Sequence, residues 1–141
     1  MRSRGLEEIA KEYSRGAIQV VQSSPAKVIH GFGRRAAAEG DLKRAMGYFL
    51  QAIEKDPEHF DSHFDIAVLL HREGRLTDAV KAYARALRLK PEHLDTHFNL
   101  GLAYVGRGDV DAAKSERRWL AERDERLAGL LQQQIDKMTA R

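Results

Sequence analysis

Apolar side chains recur at helical spacing along the middle of the chain. Between residues 42 and 53, and again between residues 76 and 87, they follow one another at intervals of three and four residues. This spacing places them on one face of an α-helix, so each segment predicts an amphipathic helix. The two stripes are Leu42, Ala45, Met46, Phe49, Ala52 and Ile53, and Leu76, Ala79, Val80, Tyr83, Ala86 and Leu87.

Glycine and proline mark the ends of these predicted helices. Gly40, Gly74 and Gly108 each precede a new apolar stripe, and glycine adopts the left-handed conformation that ends a helix at little cost. Pro57 and Pro91 follow the stripes, where a missing amide suits a helix boundary. Each predicted unit therefore contains two helices.

The chain repeats itself at an offset of 34 residues. The ten residues from Pro57 to Ile66 recur from Pro91 to Leu100, with six of the ten positions identical. A fixed period of this length indicates a stacked array, because one helix pair cannot bury both of its faces alone.

The repeated positions resemble the tetratricopeptide repeat (TPR) family, whose pattern is W-x2-L-G-x2-Y, then A-x3-F, A and P. The resemblance covers about residues 26–125. The positions that carry it are Phe32, Gly33, Ala45, Phe49, Ala52 and Pro57 in the first unit, Ile66, Ala67, Ala79, Tyr83, Ala86 and Pro91 in the second, and Leu100, Gly101, Tyr104 and Ala113 in the third.

The resemblance implies an all-α fold, a right-handed α-solenoid of antiparallel helix pairs. We expect a helical extension over residues 1–25, three repeats over 26–59, 60–93 and 94–125, and a capping helix over 126–141. The array is expected to end there because Arg117 and Glu125 replace the aromatic residue and the proline of the pattern. The apolar positions predicted for the cap are Leu127, Leu130, Leu131, Ile135 and Met138.

Residues 3–23 predict a further amphipathic helix. Its apolar positions are Leu6, Ile9, Ala10, Tyr13, Ala17, Val20 and Val21. Three arrangements stay open for it: packing on the first repeat, lying in the groove of a neighbouring copy, or remaining loose until a partner arrives.

Family resemblance further implies a concave groove lined by the first helix of each pair. A subset of the family holds chaperone carboxyl-terminal peptides with a carboxylate clamp of Lys, Asn and Arg residues. Here His30, Arg34, Asp65, Asp95 and Asn99 occupy the matching positions, so the clamp is absent. The predicted groove residues are Lys27, His30, Arg34, Asp61, Phe64, Asp65, Val68, Asp95, Phe98, Asn99 and Leu102.

The residues of this groove predict the chemistry of its partner. Phe64 and Phe98 are equivalent and form an apolar floor, flanked by Asp61, Asp65 and Asp95. We therefore expect a protein or peptide segment with apolar anchors and basic residues. In the alternative interpretation, the two phenylalanines pack against adjacent helices and the aspartates cap helix starts.

Two histidine pairs, His59 with His63 and His93 with His97, have the i, i+4 spacing that can hold a metal ion. They are copies of one repeat position, however, and the chain contains no cysteine. We expect structural histidines, with no metal and no cofactor.

Charge and motif content exclude other classes of function. The net charge of +3 is a slight excess that sits mainly near the amino terminus, whereas a nucleic-acid module concentrates basic residues on one face, so nucleic acid is disfavoured as a partner. No phosphate loop, dinucleotide fingerprint or nucleophile elbow appears, so an enzyme is not expected. No apolar run approaches the roughly 20 residues of a membrane span, and no secretory signal is recognised, so a cytoplasmic location is expected.

The sequence therefore predicts an interaction scaffold that binds a partner segment in the groove. The alternative is a self-associating platform that builds a homo-oligomer through the amino-terminal helix or through the convex face with Arg85 and Arg88.

Overall fold

The computed structural model describes Gly5, Leu6, Glu8, Ile9 and residues 24–140. Within these residues the secondary structure is helical and no strand is present. The predicted all-α class is confirmed. The helices with complete bounds are α1 (Ala26–Ala38), α2 (Leu42–Lys55), α3 (Phe60–Arg72), α4 (Leu76–Leu89), α5 (Leu94–Arg107), α6 (Val110–Ala121) and α7 (Glu125–Thr139).

The helices pack as successive pairs. α1 packs with α2, α3 with α4 and α5 with α6, and the second helix of each pair also contacts the first helix of the next. α7 packs against both α5 and α6 at the carboxyl-terminal end. This arrangement is an α-solenoid, in which each unit is stabilised by its neighbours. The division into an extension, three repeats and a cap stays a prediction.

The turns inside the pairs depend on glycine. Gly40, Gly74 and Gly108 have φ angles of 82°, 77° and 77°, in the left-handed region that other residues adopt only with strain. Asp41 then caps α2, since its Oδ1 accepts a hydrogen bond from the Arg44 amide at 3.1 Å. The regular spacing of glycines in the sequence thus reflects a backbone requirement of each turn.

Two further glycines let helices approach one another closely. A Cβ atom at Gly33 would lie 2.5 Å from Cε1 of Phe49, and one at Gly101 would lie 2.5 Å from Cδ2 of Leu131. A methyl group at either position would force the neighbouring side chain to shift, whereas Gly31 of α1 has no atom within 4 Å of such a Cβ.

The apolar core forms two clusters. The first contains buried residues of α1 to α4 and reaches Leu100 and Ala103 of α5. The second joins α6 and α7, with Leu120, Leu131 and Ile135 almost fully buried. Each cluster spans more than one helix pair, as stacked repeats require.

Ile9 is 1% exposed and belongs to the first cluster, against which Leu6 also packs. The described part of the predicted amino-terminal helix therefore contacts the repeats. Its remaining apolar positions, from residue 10 to residue 21, lie outside the described residues.

Equivalent positions are not equally buried. Phe32 of α1 is 39% exposed, whereas Ile66 and Leu100, which lie 34 and 68 residues further on, are 0% and 4% exposed. Ile66 and Leu100 lie on α3 and α5, which each contact the second helix of the preceding pair, whereas Phe32 and its neighbour Val28 on α1 are exposed.

Candidate functional site

The predicted groove residues lie on the first helix of each pair. The spacings of three, four and seven residues within each helix bring them to a common side. We call the surface formed by α1, α3 and α5 the first-helix face. Its predicted residues are Lys27, His30 and Arg34 on α1, Asp61, Phe64, Asp65 and Val68 on α3, and Asp95, Phe98, Asn99 and Leu102 on α5.

His30 and Asp65 bind each other across this face. Nε2 of His30 lies 2.6 Å from Oδ2 of Asp65, and this hydrogen bond joins α1 to α3. The His30 ring is buried and lies 5.3 Å, centroid to centroid, from the rings of both Phe49 and His59. Both groove residues are therefore engaged within the chain, and the Asp65 carboxylate is not a free charge.

Phe64 is half-buried at the junction of the second and third units. Its ring centroid lies 6.0 Å from Phe60, 6.3 Å from Tyr83 and 5.6 Å from His93. Such ring pairs add to the stability gained from burial. Phe64 thus packs against its neighbours, as one interpretation expected, and still presents part of its surface to solvent.

Three further apolar groove residues share this half-buried state. Phe98 and Leu102 pack against the second core cluster, while Val68 packs against the first. The apolar floor predicted for the face is therefore continuous with the two cores, and its residues are held by packing from below.

Lys27, Asp61 and Asp95 are exposed, one on the first turn of each first helix. None of them forms a hydrogen bond or ion pair with another described residue. The alternative interpretation, in which such aspartates cap the helices, is wrong for Asp61 and Asp95, because His59 and His93 are the N-caps of α3 and α5.

The caps use imidazole as an acceptor. Nδ1 of His59 accepts from the Ser62 amide at 3.3 Å, and Nδ1 of His93 accepts from the Thr96 amide at 3.2 Å. The His93 ring also lies against Phe64, and the His59 ring against His30. Sequence reasoning missed this contribution to the first-helix face, although both histidines recur two residues after the proline of their unit.

The second histidine of each pair is also used within the structure. His63 Nε2 donates to the carbonyl of Pro57 at 2.7 Å, and His97 Nε2 donates to that of Pro91 at 2.7 Å. Burial lowers the pKa of His63, which the hydrogen bond to Pro57 partly opposes and the positive charge of Arg85 reinforces. Over the described ranges, no group of three or more histidine or acidic side chains is placed to hold a metal ion.

The third unit has its own histidine environment. His97 Nδ1 lies 2.7 Å from Oε2 of Glu116, and the His97 ring stacks on Trp119 with a centroid distance of 3.5 Å. The guanidinium of Arg123 lies 4.0 Å from the centre of the same indole. The sequence signals this difference only by placing Glu116 and Trp119 where the second unit has Ala82 and Arg85.

Helix pairs that stack through a constant period define a helical-repeat protein. The family model of the tetratricopeptide repeat matches residues 30–93 and 74–126, which is more than half of the chain. The chain belongs to the tetratricopeptide repeat family, and the resemblance inferred from the sequence is confirmed. A comparison with curated proteins finds no match. No helix within residues 24–140 is long and apolar enough to cross a membrane.

Solved structures of other TPR proteins share this fold. The N-terminal domain of stress-induced protein-1 (STI-1) from C. elegans is 21% identical, with a TM-score of 0.69 over 77% of this chain and 93% of that one. A tetratricopeptide repeat protein from Parabacteroides merdae is 19% identical, with a TM-score of 0.78 over 96% of this chain and 54% of that one. YrrB, a TPR protein with an unusual peptide-binding site, is 19% identical, with a TM-score of 0.70 over 91% of this chain and 66% of that one.

Proposed function

We propose that this protein is a non-enzymatic scaffold that binds a segment of a partner protein on the first-helix face. TPR proteins as a family bind other proteins or peptides. The observation that carries the proposal here is the repeated pair of a half-exposed aromatic ring and an exposed carboxylate, Phe64 with Asp61 and Phe98 with Asp95. The peptide-binding site of the structurally similar YrrB supports it as well.

The partner chemistry follows from these pairs. Apolar side chains of the partner would pack on Phe64 and Phe98, since aromatic surfaces in a rigid setting are typical binding hot spots. Basic side chains would lie near Asp61 and Asp95, where complementary charge accelerates and orients docking. The proposal includes a cytoplasmic location and requires no cofactor.

A capture experiment tests the proposal. The wild-type protein, the Phe64→Glu/Phe98→Glu double variant and an Ala84→Glu control would each be incubated with extract of the source organism. Ala84 is exposed on α4, the second helix of its pair, so its variant should capture the same proteins as the wild type. We expect the double variant to lose them while its circular dichroism spectrum stays helical.

A second double variant distinguishes lost binding from unfolding, which is needed because Phe64 also packs against the core. Asp61→Lys and Asp95→Lys change only exposed side chains and should weaken capture without loss of stability. If both double variants are folded and still capture the wild-type set, the first-helix face is not the binding surface.

Self-association is the second candidate, and the exposure of Phe32 favours it. Ile66 and Leu100, at the equivalent positions, are covered in the array, whereas Phe32 and Val28 of α1 are not. A helix of a second copy would supply the missing cover. Light scattering over a range of concentrations tests this candidate: a dimer that Phe32→Glu dissociates and Leu130→Glu leaves intact supports it, and a monomer at every concentration removes it.

A further inference from the structure

The charges of the first-helix face are ordered along the array. The second residue of each first helix is Lys27 on α1, Asp61 on α3 and Asp95 on α5, so the order is positive, negative, negative. All three side chains are exposed and have no partner among the described residues. The remaining groove residues lie one or two turns further along the same three helices, on the same face.

Other residues of the face reinforce this order. Arg34 lies two turns after Lys27 on α1 and is also exposed, whereas the equivalent positions on α3 and α5 hold the apolar residues Val68 and Leu102. The end of the face at α1 is therefore basic, and the remainder is acidic and apolar.

The carboxylate of Asp65 does not add to this order of charges. Its Oδ2 lies 2.6 Å from His30 Nε2, so Asp65 is bound to His30 within the face. The equivalent residue on α5 is Asn99, which is neutral. α3 and α5 each keep one carboxylate without a partner in the described part of the chain, Asp61 and Asp95 respectively.

The distance between these charges follows from helix packing. The His30–Asp65 bond joins α1 directly to α3, and the ring of His93, which caps α5, lies 5.6 Å from Phe64 of α3. Axes of closely packed helices are about 8–10 Å apart, and first helices that touch mainly through such side chains are spaced at least this far apart. A segment in the polyproline II conformation advances about 3.1 Å per residue with about three residues per turn. Every third side chain of such a segment then points the same way, at about the spacing of the helices.

From this geometry we propose that the first-helix face recognises an extended protein segment with a fixed charge order. An acidic residue lies against Lys27, a basic residue about three positions along lies against Asp61, and a second basic residue about three positions further lies against Asp95. Apolar residues between the two basic ones contact Phe64 and Phe98. This inference rests on the proposed function and adds the spacing and the order of charges.

Asn99 favours an extended partner over a helical one. Its side chain is half-buried on the face and has no partner among the described residues. An extended segment has free backbone amide and carbonyl groups for it, whereas a helix satisfies its backbone internally. A helical partner would instead need its basic residues about seven positions apart, at a rise of about 1.5 Å per residue.

Selection from a library of random displayed peptides tests the proposal. The intact chain, its Asp61→Lys/Asp95→Lys variant and its Lys27→Glu variant would be the targets, with Phe64→Glu/Phe98→Glu as background. We expect the wild type to enrich peptides with one acidic and two basic residues at intervals of about three, read in either chain direction. The Asp61→Lys/Asp95→Lys variant should enrich acidic residues at the two basic positions, and Lys27→Glu a basic residue at the acidic one.

Affinity measurements on a selected peptide complete the test. The Asp61→Lys/Asp95→Lys variant should bind it about tenfold more weakly than the wild type, since two exposed ion pairs become repulsive. Replacing the two basic residues of the peptide by Glu should restore affinity for the variant and lose it for the wild type.

The inference is wrong if the wild type enriches peptides without a charge order or with basic residues seven positions apart. It is also wrong if the charge-reversed variants select the same peptides as the wild type, or if no peptide is enriched above the Phe64→Glu/Phe98→Glu background. The capture experiment separates this failure from that of the scaffold proposal. If Phe64→Glu/Phe98→Glu loses the captured proteins and the selected peptides show no charge order, the face binds partners by another chemistry.

Discussion

His30 Nε2 and Asp65 Oδ2 lie 2.6 Å apart, and the bond between them fastens the first helix of the first unit to the first helix of the second. The side chain of His30 is 10% exposed and that of Asp65 is 27% exposed. A hydrogen bond in this partly buried position links two units that otherwise meet through α2 and α3.

Removal of the carboxylate should destabilise the fold. In Asp65→Ala the buried His30 ring loses its acceptor, and we expect the free energy of unfolding to fall by about 1–2 kcal/mol. Asp61→Ala is the matched control on the same helix, because Asp61 is exposed and pairs with no other described residue, and should change stability by less than about 0.5 kcal/mol. Urea denaturation followed by circular dichroism measures both, and equal effects would contradict the structural role of the bond.

Two glycines of α1 should respond oppositely to alanine. Gly33→Ala places a methyl group against the ring of Phe49, which is only 2% exposed, so we expect a loss of about 1–3 kcal/mol. Gly31→Ala meets no neighbouring atom and should gain up to about 1 kcal/mol from helix propensity. Chemical denaturation distinguishes the two, and a stabilised Gly33→Ala variant would show that α1 and α2 are not in close contact there.

Neighbouring leucines of α7 provide a test of the cap. Leu131 is fully buried in the second cluster, so Leu131→Ala should cost about 2–5 kcal/mol, whereas Leu130→Ala, at an exposed position, should cost less than about 1 kcal/mol. Trp119 is the single tryptophan and packs against this cluster, so its fluorescence reports on this end of the array.

Because stability in a solenoid is shared between neighbouring units, weakening the cap should uncouple the last unit from the others. In Leu131→Ala we expect Trp119 fluorescence to change at lower urea than the helical circular dichroism signal. If the fluorescence and circular dichroism transitions of this variant coincide, the whole array unfolds as one unit.

Stability should depend on pH through His71. Burial lowers the pKa of His71 below its ordinary value of 6.5, and its Nδ1 lies 3.2 Å from the hydroxyl of Tyr83. As the pH falls, the unfolded chain therefore takes up a proton on His71 before the folded chain does. The stabilisation linked to His71 is fully present above pH 6.5 and is lost as the pH falls below this value. His71→Val, which copies Val105 at the equivalent position, removes the titration.

Unfolding free energies at pH 8, 7, 6 and 5 (chosen to bracket the ordinary histidine pKa of about 6.5) would reveal the effect. The wild type should lose stability relative to His71→Val as the pH decreases below neutrality. A difference that stays constant over the series would mean that His71 titrates alike in both states.

The sequence by itself determined the helices, the period and the family of this protein. Apolar spacing along one helix and the left-handed turns at Gly40, Gly74 and Gly108 are local properties, legible in a few neighbouring residues. An offset of 34 then extends the local pattern to a stacked array. Spacing alone also shows that the predicted groove residues of each first helix share one side, although the use of that side as a binding site stays a prediction.

Only the tertiary structure decided which of the predicted groove residues are free. Asp61 and Asp65 are both acidic residues of one helix, yet Asp65 binds His30 of the preceding unit, whereas Asp61 has no partner among the residues that the structure describes. Phe32 and Ile66 likewise occupy equivalent positions of the repeat, and only the packed structure shows that the first is exposed and the second buried. Contacts between residues 34 or 35 apart depend on how one pair is rotated and placed on the next, which side-chain packing between helices sets and no local sequence pattern contains.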